Sequence, residues 1–311
     1  MIDATPGQPR ACRDVCAVVV TYHPDSGLPS RLSRIAPQVG ATVIVDNGSS
    51  GASLHMLREL SPAPAPTILF NGENLGVAKA LNIGVRQALD DGFTWALLLD
   101  QDTLVDPDMV ERLVAARESC PEHRVAVVGS RFRDTSGRSI DPCRLEARGE
   151  QWEQVESVIT SGSLLSLSAY PAIGPFREDF FIDRVDTEYC YRARAAGHWV
   201  IQTLQPLMSH TVGASSSHRL FWATNWTTHH SADRRYYIAR NDTVLLREYR
   251  NSSHGPWQLK SLVRCIRLCK RIACFERDKI SKILAVGQGW WDGMRGRMGP
   301  RALRSTRHRT L

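Results

Sequence analysis

Trp95–Asp102 reads WALLLDQD, an apolar run that ends in two carboxylates one residue apart. A short apolar run bounded by polar turn chemistry reads as a buried strand. At the carboxyl end of a parallel strand the chain leaves the sheet on the edge where α/β sheets bind ligands. Asp100 and Asp102 point to one side if strand geometry persists. Two carboxylates placed there can hold Mg²⁺ or Mn²⁺ bridging the phosphates of a nucleotide. They can equally form a solvated turn with Asp102 as a helix cap.

The same pattern recurs outward from this stretch. Apolar β-branched runs at Val15–Thr21, Thr42–Asp46, Thr67–Phe70, Thr94–Asp100 and Val125–Gly129 alternate with helical stretches. This predicts an α/β fold, a mostly parallel sheet covered by helices. Gly76–Asp90 is expected to be a helix, as is Pro107–Arg117, with Asp106 as its N-cap. The second half is less regular: Val158–Leu167 and Trp199–Thr203 read as strands, Asp186–Ala196 and Ala232–Tyr249 as helices.

The 311 residues, 42% of them apolar and 23% charged, exclude a disordered, collagen-like or coiled-coil chain. Their number suits one large α/β domain with an extension. The opening MIDATPGQPRACRD lacks a basic, apolar leader, and no run reaches the length of a membrane span, so neither export nor a spanning helix is expected. Eight cysteines without a C-x-x-C pair suit a reducing cytoplasm. Charge is unevenly placed. Residues 256–311 hold 14 Lys+Arg against 3 Asp+Glu, whereas the first 255 residues hold 25 against 29. Within this basic segment Leu262, Cys265, Ile266, Cys269, Ile272 and Ala273 share one helical face. Such a basic amphipathic helix suits an anionic membrane surface. Without aromatic interleaving it is not expected to bind nucleic acid.

Four more clusters carry chemistry. VIVDNGS ends a strand at Asp46, which can accept an imide N–H of a pyrimidine or simply open a turn. Asn74-Leu75-Gly76, followed by Asn82 and Gly84, stands at the mouth of a helix, where phosphate or ribose hydroxyls can bind or the helix can merely be capped and packed. FFIDRVDTEYCYRAR places Asp183, Asp186 and Glu188 at a helix start; backbone N–H groups there can hold a carboxylate ionised as a general base, or the acids merely complement the dipole. Finally, His210 follows an apolar strand, and RRYYIARN offers Arg234, Arg235, Tyr237 and Arg240 to a diphosphate or an acceptor carboxylate, or alternatively as a solvated helix face over buried tyrosines.

Together VVVTYHP, VDNGS, NLGVAKALNIG, LLLDQD, FFIDRVDTEYCYRAR and the later histidine resemble glycosyltransferase family 2, inverting enzymes of GT-A fold. LLLDQD and FIDRVDTEYC in particular resemble its rhamnosyltransferase branch, and RRYYIARN and the segment to about residue 299 extend the likeness to the enzymes of di-rhamnolipid synthesis. The resemblance implies a GT-A domain over 15–255, preceded by a flexible 1–14 and followed by a basic helical extension over 256–311. It implies that Asp186 is the catalytic base, that Thr21, Asp46, Asn74, Gly76 and Asp100 meet the nucleotide, and that Asp102 and His210 hold the metal. Asp183, Arg234, Arg235, Tyr237 and Arg240 become acceptor or diphosphate contacts.

The donor implied is dTDP-L-rhamnose and the acceptor an amphiphilic glycolipid, mono-rhamnolipid first, with a lipid-linked O-antigen or cell-surface glycan as the alternative. The enzyme would then work from the cytoplasm at the inner face of the membrane. Two other classes compete: a non-catalytic nucleotide-sugar-binding protein, and a nucleotidyltransferase. Asp46, Asp102, Asp186 and His210 together argue against the first, and VVVTYHP, where a Gly- and Lys-containing phosphate loop would stand, argues against the second.

Overall fold

The computed structural model describes residues 10–60, 65–134, 151–210, 216–220, 223–249 and 256–301. In chain order the elements are α1 (Arg10–Arg13), β1 (Val15–Thr21), α2 (Leu28–Ile35), β2 (Ala41–Asp46), α3 (Gly51–Arg58), β3 (Thr67–Phe70), α4 (Val77–Asp90), β4 (Trp95–Asp100), β5 (Leu104–Val105), α5 (Met109–Ser119) and β6 (Val125–Asp134). The second half adds β7 (Trp152–Gln154), β8 (Ser163–Ser166), α6 (Tyr170–Ile173), α7 (Val185–Ala195), β9 (Trp199–His210), β10 (Ser216–Leu220), β11 (Ala223–Thr227), α8 (Ala232–Glu248), α9 (Trp257–Phe275) and α10 (Lys279–Arg295).

One sheet runs β3-β2-β1-β4-β8-β6-β9-β5, with β7 also on β9. Its first four strands are parallel, whereas β8 is antiparallel to both β4 and β6. β1 is a continuous apolar run because both its faces are covered. Cys16 and Val18 pack with Ala80, Leu81 and Val85 of α4 on one face; Val15, Ala17 and Val19 pack with Leu32 of α2 and Leu113 of α5 on the other.

The register sets the site. Thr21 pairs with Asp46, and Val20 with Asp100, so the parallel strands end level. Because β8 runs the other way, the turn before it arrives at that same edge. There Gly162 N–H donates to Leu98 O (2.9 Å), and its carbonyl accepts from Ser130 N–H (2.9 Å). Gly162 has φ +75°, and a Cβ would lie 2.5 Å from Met208 Sδ. This turn shortens the strand expected over Val158–Leu167 to Ser163–Ser166 and leaves Val158–Gly162 as loop at the edge.

Other expectations shift as well. α5 starts at Met109, and the Asp106 carboxylate grips Arg133 (2.9 and 2.8 Å) in place of capping the helix. β6 and β9 extend well past the predicted strands, pairing in parallel to Asp134 and His210. Asn82 and Gly84 are core residues and not part of a phosphate mouth. Asn82 donates to Phe176 O (2.9 Å) and accepts from Tyr170 OH (2.9 Å), tying α4 to the segment before α7.

The basic segment is two helices, not one. α9 and α10 pack on α8 through Ala239, Ile272 and Val286. Gly289 and Gly293 let α10 approach closely, since a Cβ at these positions would fall 2.2 Å from Tyr236 O and 2.7 Å from Arg240 O. Beneath them, Glu276 accepts from both Arg235 and Lys282 (2.9 Å to Lys282).

Gly84 joins α4 to β1, because a Cβ there would meet Val18 Cγ1 at 2.3 Å. Val18 is β-branched and stiff and cannot swing aside. Gly84→Ala is therefore expected to destabilise the fold by about 1–3 kcal/mol through overpacking. An unchanged urea midpoint would contradict this packing.

Candidate active site

An open cleft of about 790 Å³ lies along the carboxyl edge of the sheet. It gathers Asn74, Gly76, Asp100, Asp102, Asp183, Asp186 and Arg234, all singled out in the sequence, from three loops, α7 and α8. Thr21, Asp46, Arg235, Tyr237 and Arg240 do not line it. The His210 side chain lies outside the described residues.

Asp46 is buried beneath the floor, 1% exposed. Its oxygens accept from Ser49 N–H (3.0 Å), Ser49 OH and Thr21 Oγ1 (3.2 Å). The carboxylate thus closes the turn after β2 and does not reach a base, which corrects the roles expected of Asp46 and Thr21. The neighbouring Asn47, itself buried, lines the cleft instead. Its Nδ2 donates to Asn74 Oδ1 (2.9 Å), and its Oδ1 accepts from Asn71 Nδ2 and Leu75 N–H (both 3.1 Å). Three asparagines thereby lock the loops after β2 and β3 against each other. The Asn74 oxygen also accepts Gly76 N–H (3.0 Å).

The glutamine between the two aspartates has its own task. Gln101 Oε1 accepts Tyr22 N–H (2.7 Å), and its Nε2 donates to Tyr22 O (3.2 Å). An amide side chain presents the donor–acceptor pair of a backbone strand, so Gln101 extends the β1–β4 ladder beyond the sheet. Arg31 fixes the same residue through its carbonyl (2.7 Å). Asp100 N–H donates to Ser161 Oγ (3.1 Å), which seats the first carboxylate on the turn before β8.

The far wall is a strained loop. Phe181, Asp183 and Arg184 all have φ of 64°, a left-handed conformation costing about 1–3 kcal/mol at each non-glycine residue. Two fully buried α8 side chains hold it. Arg240 donates to the carbonyls of Asp179 (3.0 Å) and Phe180 (2.9 Å), and Asn241 to those of Phe180 (3.1 Å), Ile182 (2.9 Å) and Asp183 (2.8 Å). Arg240 is therefore a main-chain clamp and not a ligand contact. Tyr237 is also internal, its ring stacked on Phe181 at 5.1 Å and its hydroxyl accepting Arg301 N–H (2.8 Å). Phe181 in turn covers Gly76, where a Cβ would lie 2.6 Å from the ring. Among the RRYYIARN side chains expected at the ligand, only Arg234 reaches the cleft, and it grips both Asp183 oxygens (3.2 Å each).

Asp186 sits in the first turn of α7. Its Oδ1 accepts from Thr187 N–H (2.7 Å) and Thr187 Oγ1 (3.2 Å), and its Oδ2 from Thr160 N–H (3.2 Å). Burial outweighs these donors and pushes the Asp186 pKa above the ordinary aspartate value; Asp183 is raised for the same reason, against the pull of Arg234. A carboxylate held in place, with its proton affinity increased, is suited to general-base work.

Sequence reasoning missed Tyr22, Asn47, Gln101, Thr160 and His230, all lining the cleft. Only the loop-ending positions of the first three offered a signal. Burial and the neighbouring Arg234, Arg235 and Lys282 depress the pKa of His230 to about 3, so the ring is neutral at physiological pH.

Among the described residues no three His, Cys, Asp or Glu gather as a metal cage. Mg²⁺ usually takes one or two carboxylates and completes its shell with substrate phosphates and water. Asp100 and Asp102 on one rim fit that donor set.

Two outcomes follow from this geometry. Arg240→Met keeps the bulk but removes the charged donors, and is expected to cost on the order of 3 kcal/mol and to speed amide exchange at residues 181–184. Exchange unchanged there would mean the loop does not depend on the clamp. In a ¹³C-carboxyl titration Asp186 is expected to ionise above the ordinary aspartate value of 3.8. Because the folded-state pKa is raised, its ionisation opposes folding, the cost growing as pH rises from the unfolded value through the folded one and being complete above it. A midpoint at or below the ordinary value would contradict the burial argument.

Residues 16–161 match the family model described as Glycosyl transferase family 2. Over 300 residues, 92% of this chain and 97% of the relative, the chain is 27% identical to the dTDP-rhamnosyl transferase RfbF of Shigella flexneri. It is 23% identical to the low-salt glycan biosynthesis hexosyltransferase Agl10 of Haloferax volcanii, over 58% of this chain and 62% of that protein. Among solved structures it resembles S. aureus TarS 1-349 in complex with UDP-GlcNAc (TM-score 0.54, 14% identity, 88% of this chain and 80% of that one). It also resembles the mannosyltransferase PcManGT from Pyrobaculum calidifontis in complex with GDP-Man and Mn²⁺ (TM-score 0.54, 16% identity, 95% and 78%). Residues 16–161 therefore match glycosyl transferase family 2, and the chain has a GT-A fold.

Proposed function

We propose that this protein is an inverting, metal-dependent rhamnosyltransferase that moves L-rhamnose from dTDP-L-rhamnose to an amphiphilic glycolipid. The observation that carries the reading is one cleft holding a carboxylate rim, Asp100 and Asp102, opposite a half-buried carboxylate of raised proton affinity, Asp186. The donor is supported by the near full-length similarity to a dTDP-rhamnosyl transferase.

Tyr22, Asn47, Asn74 and Gly76, at the end of the cleft formed by β1 and β2, receive the nucleotide. Asp100 and Asp102, with His210 as a further ligand, would hold Mg²⁺ or Mn²⁺, which when bound neutralises charge on the departing diphosphate. Asp186 takes the proton of an acceptor hydroxyl as that oxygen attacks the anomeric carbon, and the bond to dTDP breaks with its electron pair leaving on the diphosphate. One displacement inverts, so a β-L-rhamnosyl donor gives an α-L-rhamnoside. Arg234 balances Asp183 beside the reacting centre.

Mono-rhamnolipid is one acceptor of the required amphiphilic kind. A lipid-linked or cell-surface glycan is the second reading, favoured by the similarity to a glycan biosynthesis hexosyltransferase.

No described helix is long and apolar enough to cross a membrane. A peripheral attachment to the inner face of the membrane is supported by the surface of α9 and α10, in a different form from the one the sequence suggested. Cys265, Cys269 and Ile272 turn inward onto α8 and α10, whereas Leu259, Leu262, Ile266, Ile280, Leu284 and Trp291 are exposed beside Lys270, Arg277 and Lys279. Apolar side chains flanked by cations suit an anionic interface.

Asp186→Asn is expected to lower turnover by about 10²–10⁴-fold while leaving dTDP affinity nearly unchanged; parallel loss of dTDP binding would make Asp186 a ligand or structural residue. The wild-type rate should fall on acidification with a midpoint above the ordinary aspartate value, as the base becomes protonated. Separately, Ile280→Glu with Leu284→Glu should weaken binding to phosphatidylglycerol vesicles. Equal binding by this variant, or binding insensitive to salt, would count against membrane attachment.

A further inference from the structure

Beside the cleft a second cavity of about 690 Å³ opens between α7, α8 and α9. Arg184, His230 and Ile238 line both spaces, and Thr187, which donates two hydrogen bonds to Asp186, lines this one. A molecule presenting a hydroxyl to Asp186 therefore has room to continue into it.

The walls combine two chemistries. Ile238, Leu246 and Leu268 are apolar, while Arg264, Arg267 and Arg271 form one stripe of α9. Residues spaced by three and four share a helix face, and seven residues span about 10 Å. All three arginines are exposed, and among the described residues none has an ion-pair or hydrogen-bond partner. The acids nearby are largely taken: Asp242 pairs with Arg184 (2.7 Å), and Glu276 with Arg235 and Lys282. Facing the stripe is Arg235, 5% exposed, whose Nε–H is buried without an acceptor. A buried guanidinium donor left unpaired is costly and rare in folded proteins, so its natural complement is an acceptor oxygen of a ligand. Planar guanidinium groups match phosphate oxygens two at a time, and four of them exceed what a single carboxylate would require.

We infer that this cavity binds the sugar acceptor through a phosphate or diphosphate that joins it to an apolar chain, with Arg235 and the α9 arginines on the anion and the apolar wall on the chain. The inference rests on the transferase reading above and narrows its acceptor.

Calorimetric titration of the full chain with farnesyl diphosphate, farnesol, pyrophosphate and dTDP tests it, comparing wild type with the variant Arg264→Ala, Arg267→Ala, Arg271→Ala. The three residues are surface-exposed, so the variant is expected to fold with an unchanged Tm. Farnesyl diphosphate should bind the wild type and lose at least about tenfold in affinity in the variant, from the lost charge-assisted contacts. Farnesol should bind far more weakly to the wild type, and dTDP equally to both proteins. Equal farnesyl diphosphate affinity for both proteins would overturn the inference. Pyrophosphate binding the wild type as tightly as farnesyl diphosphate would overturn it too, leaving only an anion patch, and so would dTDP affinity falling in step, which would give the arginines to the donor. If dTDP binds neither protein while the farnesyl diphosphate loss is seen, the cavity assignment stands and the donor reading fails.

Discussion

Arg240 and Asn241, adjacent on α8 and both fully buried, hold the carbonyls of Asp179, Phe180, Ile182 and Asp183. Much of the site depends on this clamp. It holds three non-glycine residues in a left-handed conformation that would otherwise relax, and so fixes where α7 begins and where Asp186 stands. It also presses Phe181 onto Gly76, linking the Gly76 end of the cleft to the Asp186 end. The clamp is supported from behind: Gly293 lets α10 approach the backbone of Arg240, whose side chain also donates to Gly299 O. The basic segment is in this way part of the machinery that shapes the site, and not an appendage to it.

The electrostatics follow from the same arrangement. Asp183 and Asp186 are brought close together and away from water, and both gain proton affinity. Arg234 neutralises the first. The second is held by Thr160 and Thr187 and, among the described residues, has no ion-pair partner, so that burial outweighs the charge of Arg184 and raises its basicity. His230 between the two cavities stays neutral, so the positive charge there is supplied by arginines.

The parallel half of the sheet was legible because apolar runs end in polar turn chemistry: β1, β3 and the Asp100 end of β4 lie where hydrophobic period and turn residues place them. Asp100 and Asp102 were legible for the same reason, and Asp183 and Asp186 as acids gathered at a helix start. What escaped was depth. D-N-G-S reads alike whether its aspartate faces a ligand or, as Asp46 does, closes its own turn. Arg and Tyr signal recognition and burial equally, so the inward face of α8 with Tyr237 and Arg240 could not be told from its outward face with Arg234. α10 was not set apart from α9 within the basic segment, and its Gly289 and Gly293 serve close packing on α8. Gln101, the residue between the two aspartates, was given no role from the sequence, yet its amide is what joins β1 to β4 beyond the sheet.

The central claim is that the carboxyl-edge cleft takes dTDP-L-rhamnose and cleaves it at the anomeric carbon. The most direct measurement is ³¹P NMR of the purified protein with Mn²⁺-free Mg²⁺ buffer and, in separate tubes, dTDP-L-rhamnose, UDP-GlcNAc and GDP-Man, following slow release of the free nucleoside diphosphate to water. The account predicts release of dTDP from dTDP-L-rhamnose, abolished in Asp186→Asn, and no comparable release from the other two. Faster consumption of either other donor, or dTDP release undiminished in the variant, would contradict it.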